Sequence, residues 1–396
     1  MKIAVASGFR PSAGDLTEFL LLRAFHLAVR FLKADCFLVS GVFCGSAEDA
    51  RFPETVEKSR ALRKIAVPFY CVNDPASMFR VPDASSTELE VDGEKMTVAE
   101  LLERIRVRVG PFPVFSKPPF EFLTVELEEG GRVFNGKIHR VSLPEEVVGK
   151  LTDFHVHTNL AYCSENMTVP GALGMARLTG LKAVNFSEHS GQLYFVAEDY
   201  WKFQWTMNGR NRPDGCPERR RMPDYDALFR RYSGERGFTH GFELDVDRNC
   251  TVALDDRDRH PGCVNLGAVH SLDRKENLPL LKREFLDRTE ALLRYGVSIL
   301  AHPFRIFRWG YGMRAPEDLF VPVAALLKQY GVAAEINFHC NEPYPEFLEI
   351  CLREGVKISL GSDSHNLYEV GFFQPHLHLL RELGVYEKLD SVLFHL

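Results

Sequence analysis

Residues 151–165 read LTDFHVHTNLAYCSE. The run DFHVH (153–157) has the apolar character of a buried strand, and it sets His155 and His157 two apart. Both imidazoles then point to one face of the strand and can grip one ion. Six more strand-like runs follow: LKAVNFSEH (181–189), FTHGFEL (238–244), VNLGAVH (264–270), VSILAH (297–302), VAAEINF (332–338) and VKISLGSDSH (356–365). Near-continuous apolar runs are the mark of parallel strands covered on both faces. Apolar periodicity at 171–179, 278–295, 322–330 and 346–354 supplies helices between them. Repeated strand–helix units predict an α/β fold in which seven strands form a closed or nearly closed β/α barrel.

Polar residues fall on these runs at one kind of position. Of the 14 histidines, His155, His157, His189, His270, His302 and His365 sit at or just past the C-terminal end of a predicted strand, as do Glu243 and Asp363. In a β/α barrel these ends converge on the face that carries the active site. Neutral imidazoles and carboxylates gathered in one place have few uses besides holding metal. Asp363 and His365 repeat the two-apart spacing of His155 and His157, which strengthens that reading.

The whole chain sets the frame. A length of 396 residues exceeds what one core usually serves, so two domains are expected. A hydrophobic fraction of 45% excludes wholesale disorder, and a net charge of −6 argues against a surface built mainly for nucleic-acid backbone. No run of about 18 uncharged apolar residues suggests a membrane span. Nine cysteines without a CxxC pair fit a reducing compartment, and a cytoplasmic protein is expected.

Residues 1–74 alternate strand-like runs (KIAVAS, ADCFLVSG, VPFYCV) with a helical stretch from Leu16 to Leu32. FLTVELEEGGRVFNGKIHRVSL (122–143) reads as a β-hairpin turning at Gly130-Gly131, with a second turn at Asn135-Gly136. LPEEVVGK (143–150) reads as the linker. The expected domains are an α/β accessory domain over 1–147 and the barrel over 148–396.

DFHVHT (153–158), SEH (187–189), GFE (241–243), AVH (268–270), AHP (301–303) and GSDSH (361–365) together resemble the PHP (polymerase and histidinol phosphatase) superfamily. The likeness covers about residues 150–375, in the family's order. It implies a distorted seven-stranded barrel with two to three divalent ions, of Zn, Mn or Fe. By motif, His155, His157 and Asp363 would hold the first ion and Glu243 would bridge to a second, completed by His270 and His302. A third would take His189, His365 and Cys163, which stands where the family usually shows His or Asp. Asp153 is expected to orient an imidazole, and Glu188 replaces the family's usual Asp.

The implied chemistry is phosphate-ester hydrolysis. Two ions bridged by a carboxylate lie roughly 3.5–4 Å apart, and a bound water becomes acidic enough to supply hydroxide at neutral pH. Glu243, Asp363 and Arg305 are the expected catalytic residues. Two segments read as loops offering substrate contacts: 201–221, with Lys202 and a local charge of +4, and 302–314, with Arg305, Arg308 and Trp309. Arginine beside exposed aromatics suits an anionic ligand with a flat or apolar part. The HTNLAYCSE, GFELDVD and EIN-to-GSDSH stretches look most like the histidinol-phosphatase branch, which points to a small phosphorylated substrate.

Residues 1–145 resemble calcineurin-like metallophosphoesterases in VSGVFCG (39–45) and CVNDP (71–75), but Ser7-Gly8-Phe9-Arg10 replaces that family's Asp-x-His. This implies a copy without metals or activity, with a plain α/β accessory domain as the alternative. Three functions are expected to compete. They are a metal-dependent phosphomonoesterase, a nuclease acting on nucleic-acid ends, and a non-catalytic metal-binding module.

Overall fold

The computed structural model describes residues 1–10, 16–44, 67–78, 80–91, 93–116, 118–128, 132–202, 221–273 and 277–396. The chain divides into two compact units, 1–148 with 178–180, and 149–177 with 181–396.

The first unit holds a five-stranded sheet in the order β3-β2-β1-β6-β7. β1 (Lys2–Ser7), β2 (Cys36–Val42) and β3 (Phe69–Asn73) run parallel, and β6 (Glu121–Glu128) and β7 (Arg132–Arg140) complete it antiparallel. The expected helix is α-helical over Thr17–His26 and continues as a π-helical turn, Leu27–Phe31. Asn135-Gly136 is not a turn. Thr124 pairs with Lys137 and Glu126 with Phe134, so Asn135 and Gly136 together oppose one residue and form a bulge, with Asn135 at φ +44°. Gly130-Gly131 lies outside the described residues.

Between β3 and β6 stand a short antiparallel pair, β4 (Glu88–Val91) and β5 (Glu94–Thr97), and a helix, Val98–Val109, that the sequence reading omitted. Its Val98, Leu101, Leu102 and Ile105 are buried at i, i+3, i+4 and i+7 against Ile3, Val5, Leu123 and Val125 of the sheet. Thr97 and Glu100 close a capping box at its start. Asn73, in the CVNDP segment, spends its amide on the backbone of Val81, accepting 3.1 Å from the N–H and donating 3.0 Å to the carbonyl.

The second unit is a mixed α/β body around seven parallel strands in chain order: β8 (Thr152–Val156), β9 (Ala183–His189), β10 (Phe238–Asp245), β11 (Leu266–Ala268), β12 (Ile299–Leu300), β13 (Ala333–Asn337) and β14 (Ile358–Gly361). The edges of this sheet meet. His157 N–H donates to Ser364 O (3.1 Å) and Ser364 N–H to His155 O (3.3 Å), so the barrel is nearly closed. All seven expected strands are present. Helices Val169–Thr179, Leu278–Tyr295, Phe320–Tyr330 and Pro345–Glu354 lie where periodicity placed them. The last three end on glycines in the left-handed conformation, Gly296, Gly331 and Gly355.

The segment 302–314, read as a loop, is helical over Arg305–Tyr311, ended by Gly312 at φ +62°. Further helices not anticipated are Met222–Tyr232 and Gln374–Glu382. Among the described residues, no helix is long and apolar enough to cross a membrane, and the eight cysteines are free thiols.

β8 carries a register slip between Asp153 and Val156. This bulge lets Phe154 pack into the barrel floor with Leu266, Ala268, Ile299, Ala301 and Ala333, while His155 stands within the polar layer.

Candidate metal centre

The strand ends bring six imidazoles and two carboxylates together. His155, His157 and Asp363 form one trio with ligand atoms within 4.8 Å of one another. His155, Glu243 and His302 form a second, and His157, His189 and His365 a third. A fourth contains His189, His270 and Asp245. These buried groups could hold metal ions.

Glu243, fully buried, lies between the trios. Its Oε1 is 2.7 Å from His302 Nε2 and 3.2 Å from His270 Nε2; its Oε2 is 2.6 Å from His189 Nδ1 and 3.5 Å from His155 Nε2. Burial alone would raise this carboxyl, but the surrounding His189, His270 and His155 hold it well below the usual range. Asp363 behaves alike: burial raises it, and His155 and Arg305 more than reverse the effect. Its Oδ1 lies 3.0 Å from His157 Nε2, and its Oδ2 accepts from Arg305 at 2.6 Å.

Four imidazoles are held from behind through Nδ1. His155 Nδ1 is 2.8 Å from Glu335, His157 Nδ1 3.2 Å from Glu188, and His270 Nδ1 2.5 Å from Asp245. His365 Nδ1 donates to the Asp363 carbonyl at 2.8 Å. A carboxylate or carbonyl accepts only an N–H, so each of these rings carries a proton on Nδ1 and turns Nε2 inward, the atom left to meet a cation. Carboxylate backing of this kind is what orients metal-ligating histidines. His155 Nε2, His189 Nδ1 and Glu243 Oε2 are buried without a well-formed hydrogen bond, a costly arrangement that a cation would relieve.

The sequence reading missed Glu335 and Asp245, and it gave Asp153 a role the fold assigns elsewhere. Asp153 accepts backbone N–H groups of Ser362 (3.0 Å), Gly371 (2.7 Å) and His155 (3.3 Å), and so ties β8 to the segment after β14. Glu188 both faces His157 and accepts from Thr158 at 2.5 Å and 3.0 Å. Asp245 was legible, since it stands two residues beyond Glu243 on the same strand face. His339, backed by Glu369 at 2.9 Å and stacked on His365 with centroids 4.7 Å apart, also escaped notice.

Cys163 has its Sγ 3.6 Å from His189 Nε2 and accepts from Gln192 at 3.5 Å. Burial pushes its thiol up, so only a bound cation would make it a thiolate here.

Arg305 enters the centre. Besides Asp363, it donates to Asn337 Oδ1 at 2.7 Å, and its Nε has no hydrogen-bond partner among the described residues. The other expected substrate contacts lie at the surface. Lys202 pairs with Glu198 (2.6 Å), Arg308 with Glu342 (3.4 Å), and Trp309 is 57% exposed on the helix Arg305–Tyr311. Arg305 and Arg308 stand three apart on this helix, yet Arg305 is drawn in to Asp363 with its side chain 14% exposed, while Arg308 is 58% exposed and reaches Glu342. Residues 203–220 of the basic-aromatic segment lie outside the described residues.

Two centre residues have strained backbones, His302 at φ +31° and Asp363 at φ +54°. Non-glycine residues adopt such angles at about 1–3 kcal/mol each, a cost concentrated at functional sites. No family model matches the chain, and no curated protein matches it significantly.

Proposed function

We propose that the barrel is a metal-dependent phosphoesterase of PHP type that hydrolyses a phosphomonoester of a small metabolite. The observation that carries this reading is the set of four imidazoles backed through Nδ1, with Nε2 turned inward around Glu243 and Asp363. His155, His157 and Asp363, then Glu243, His270 and His302, then His189, His365 and Cys163 would hold divalent Zn, Mn or Fe ions.

Bound ions supply positive charge at phosphoryl oxygens and lower the pKa of water to about 7. The chain supplies orientation. Asp363 and Asn337 fix the Arg305 guanidinium from one side, leaving its Nε–H for a phosphoryl oxygen. Fixed donors of this kind stabilise charge on equatorial oxygens without reorganising. Glu335, Glu188 and Asp245 keep the imidazoles from turning as the charge inside changes.

The test is a hydrolysis screen of the Mn-loaded full chain over phosphorylated metabolites, nucleotides and single-stranded nucleic-acid ends. Release of phosphate from a small ester, abolished in His302→Ala with the fold retained by circular dichroism, supports the reading. Inactivity across the panel overturns it. Cleavage confined to nucleic-acid ends, falling steeply with salt, would replace it by a nuclease.

A further inference from the structure

We propose a second, separate metal site on the outer side of β10, where His240, His260 and Cys263 hold one zinc ion.

Side chains alternate along β10, so Glu243 and Asp245 face the barrel interior while Phe238, His240 and Phe242 face the helix layer. His240 confirms its side by lying against Phe229 of the helix Met222–Tyr232, ring centroids 3.8 Å apart. The second and third groups come from one tight turn, His260-Pro261-Gly262-Cys263. Gly262 sits at φ +78°, a conformation that a side chain disfavours, and this turn places residues 260 and 263 side by side. Val264 N–H donates to His240 O at 3.1 Å, which holds the turn against the strand.

The three ligand-type atoms fall within 4.8 Å of one another, and all three residues are half-buried, so an ion can enter. Two imidazoles and a thiol make a borderline-soft donor set, which suits zinc better than magnesium, calcium or manganese. Packing of aromatic rings accounts for the stacking of His240 but gives no reason for a thiol to converge with two imidazole nitrogens. Asp226 adds a carboxylate beside the cluster. Its Oδ1, itself buried, lies 3.1 Å from His260 Nε2 without forming a well-aligned hydrogen bond to it. A carboxylate beside a ligating imidazole fixes the ring, and it can also serve as the fourth ligand. On binding, Cys263 Sγ releases its proton to solvent and forms the sulfur–zinc bond. The ion would staple the 255–263 segment to β10, a structural role that leaves the barrel centre untouched.

The experiment uses the full chain, stripped of metal with a chelator and loaded with cobalt(II) as a spectroscopic stand-in for zinc. A thiolate-to-cobalt charge-transfer band is expected that survives Cys163→Ser and disappears in the Cys163→Ser/Cys263→Ser double variant. Zinc content should fall by one equivalent in Cys263→Ser and equally in His260→Gln, the second variant serving if the first does not fold. A band abolished by Cys163→Ser alone, or zinc content unchanged in the folded variants, would overturn the site. If the barrel centre binds nothing, one equivalent dependent on Cys263 should remain, so the two proposals fail separately.

Discussion

Glu335 decides how His155 faces. Its carboxylate holds Nδ1 at 2.8 Å, and both groups are buried. Truncation to Ala frees the ring, and metal affinity should fall about 10- to 100-fold. Competition with a chelator measures this; an unchanged affinity would contradict the assignment. Gly361 makes the pairing feasible. A Cβ there would lie 1.9 Å from Glu335 Oε1 and 2.8 Å from His155 Cβ. Gly361→Ala should therefore weaken metal binding together with a stability loss of about 1–3 kcal/mol, read by chelator competition and urea denaturation. At this scale the sequence was informative where spacing alone brings groups together, as in HVH and GSDSH. Glu335 was hidden because it meets His155 across 180 residues of chain, a proximity that only closure of the barrel creates. Lys202 and Arg308 each meet an acid, Glu198 and Glu342, that a reading for charge near the site did not take into account.

At the scale of elements, apolar runs located the seven strands but overstated their paired length: VSILAH yields only Ile299–Leu300 as β12. Continuous apolarity reports burial, and burial extends past the last ladder bond. The helix Val98–Val109 shows the reverse case. It was not anticipated, although its start carries a capping box in Thr97 and Glu100 and its buried face shows helical spacing. Thr97→Ala leaves helical N–H groups uncapped and should cost about 1 kcal/mol by chemical denaturation. No measurable change would mean that packing against the sheet, rather than the cap, sets this helix. Asn135-Gly136 has the composition of a turn, but a strand pair already formed on both sides absorbs it as a bulge.

For the molecule as a whole, stability should fall on acidification for a stated reason. His376 is buried, 3.0 Å from the Gly361 carbonyl, and burial pushes it down to about 4. Its unfolded value is near 6.5, so the unfolded chain binds the proton first. The contribution is fully present above pH 6.5 and is lost as pH falls toward 4, amounting to about 3 kcal/mol. Denaturation across that range should show a shallower pH dependence in His376→Gln than in the wild type; identical slopes would exclude the group.

The barrel as a metal centre is the claim on which the functional proposal depends. Elemental analysis of the purified full chain, beside Glu243→Gln, tests it most directly. The expected result is two to three equivalents of Zn, Mn or Fe beyond the one that depends on Cys263, with at least two lost in the variant. A wild-type protein free of metal after mild handling, or a content that Glu243→Gln leaves unchanged, would contradict it.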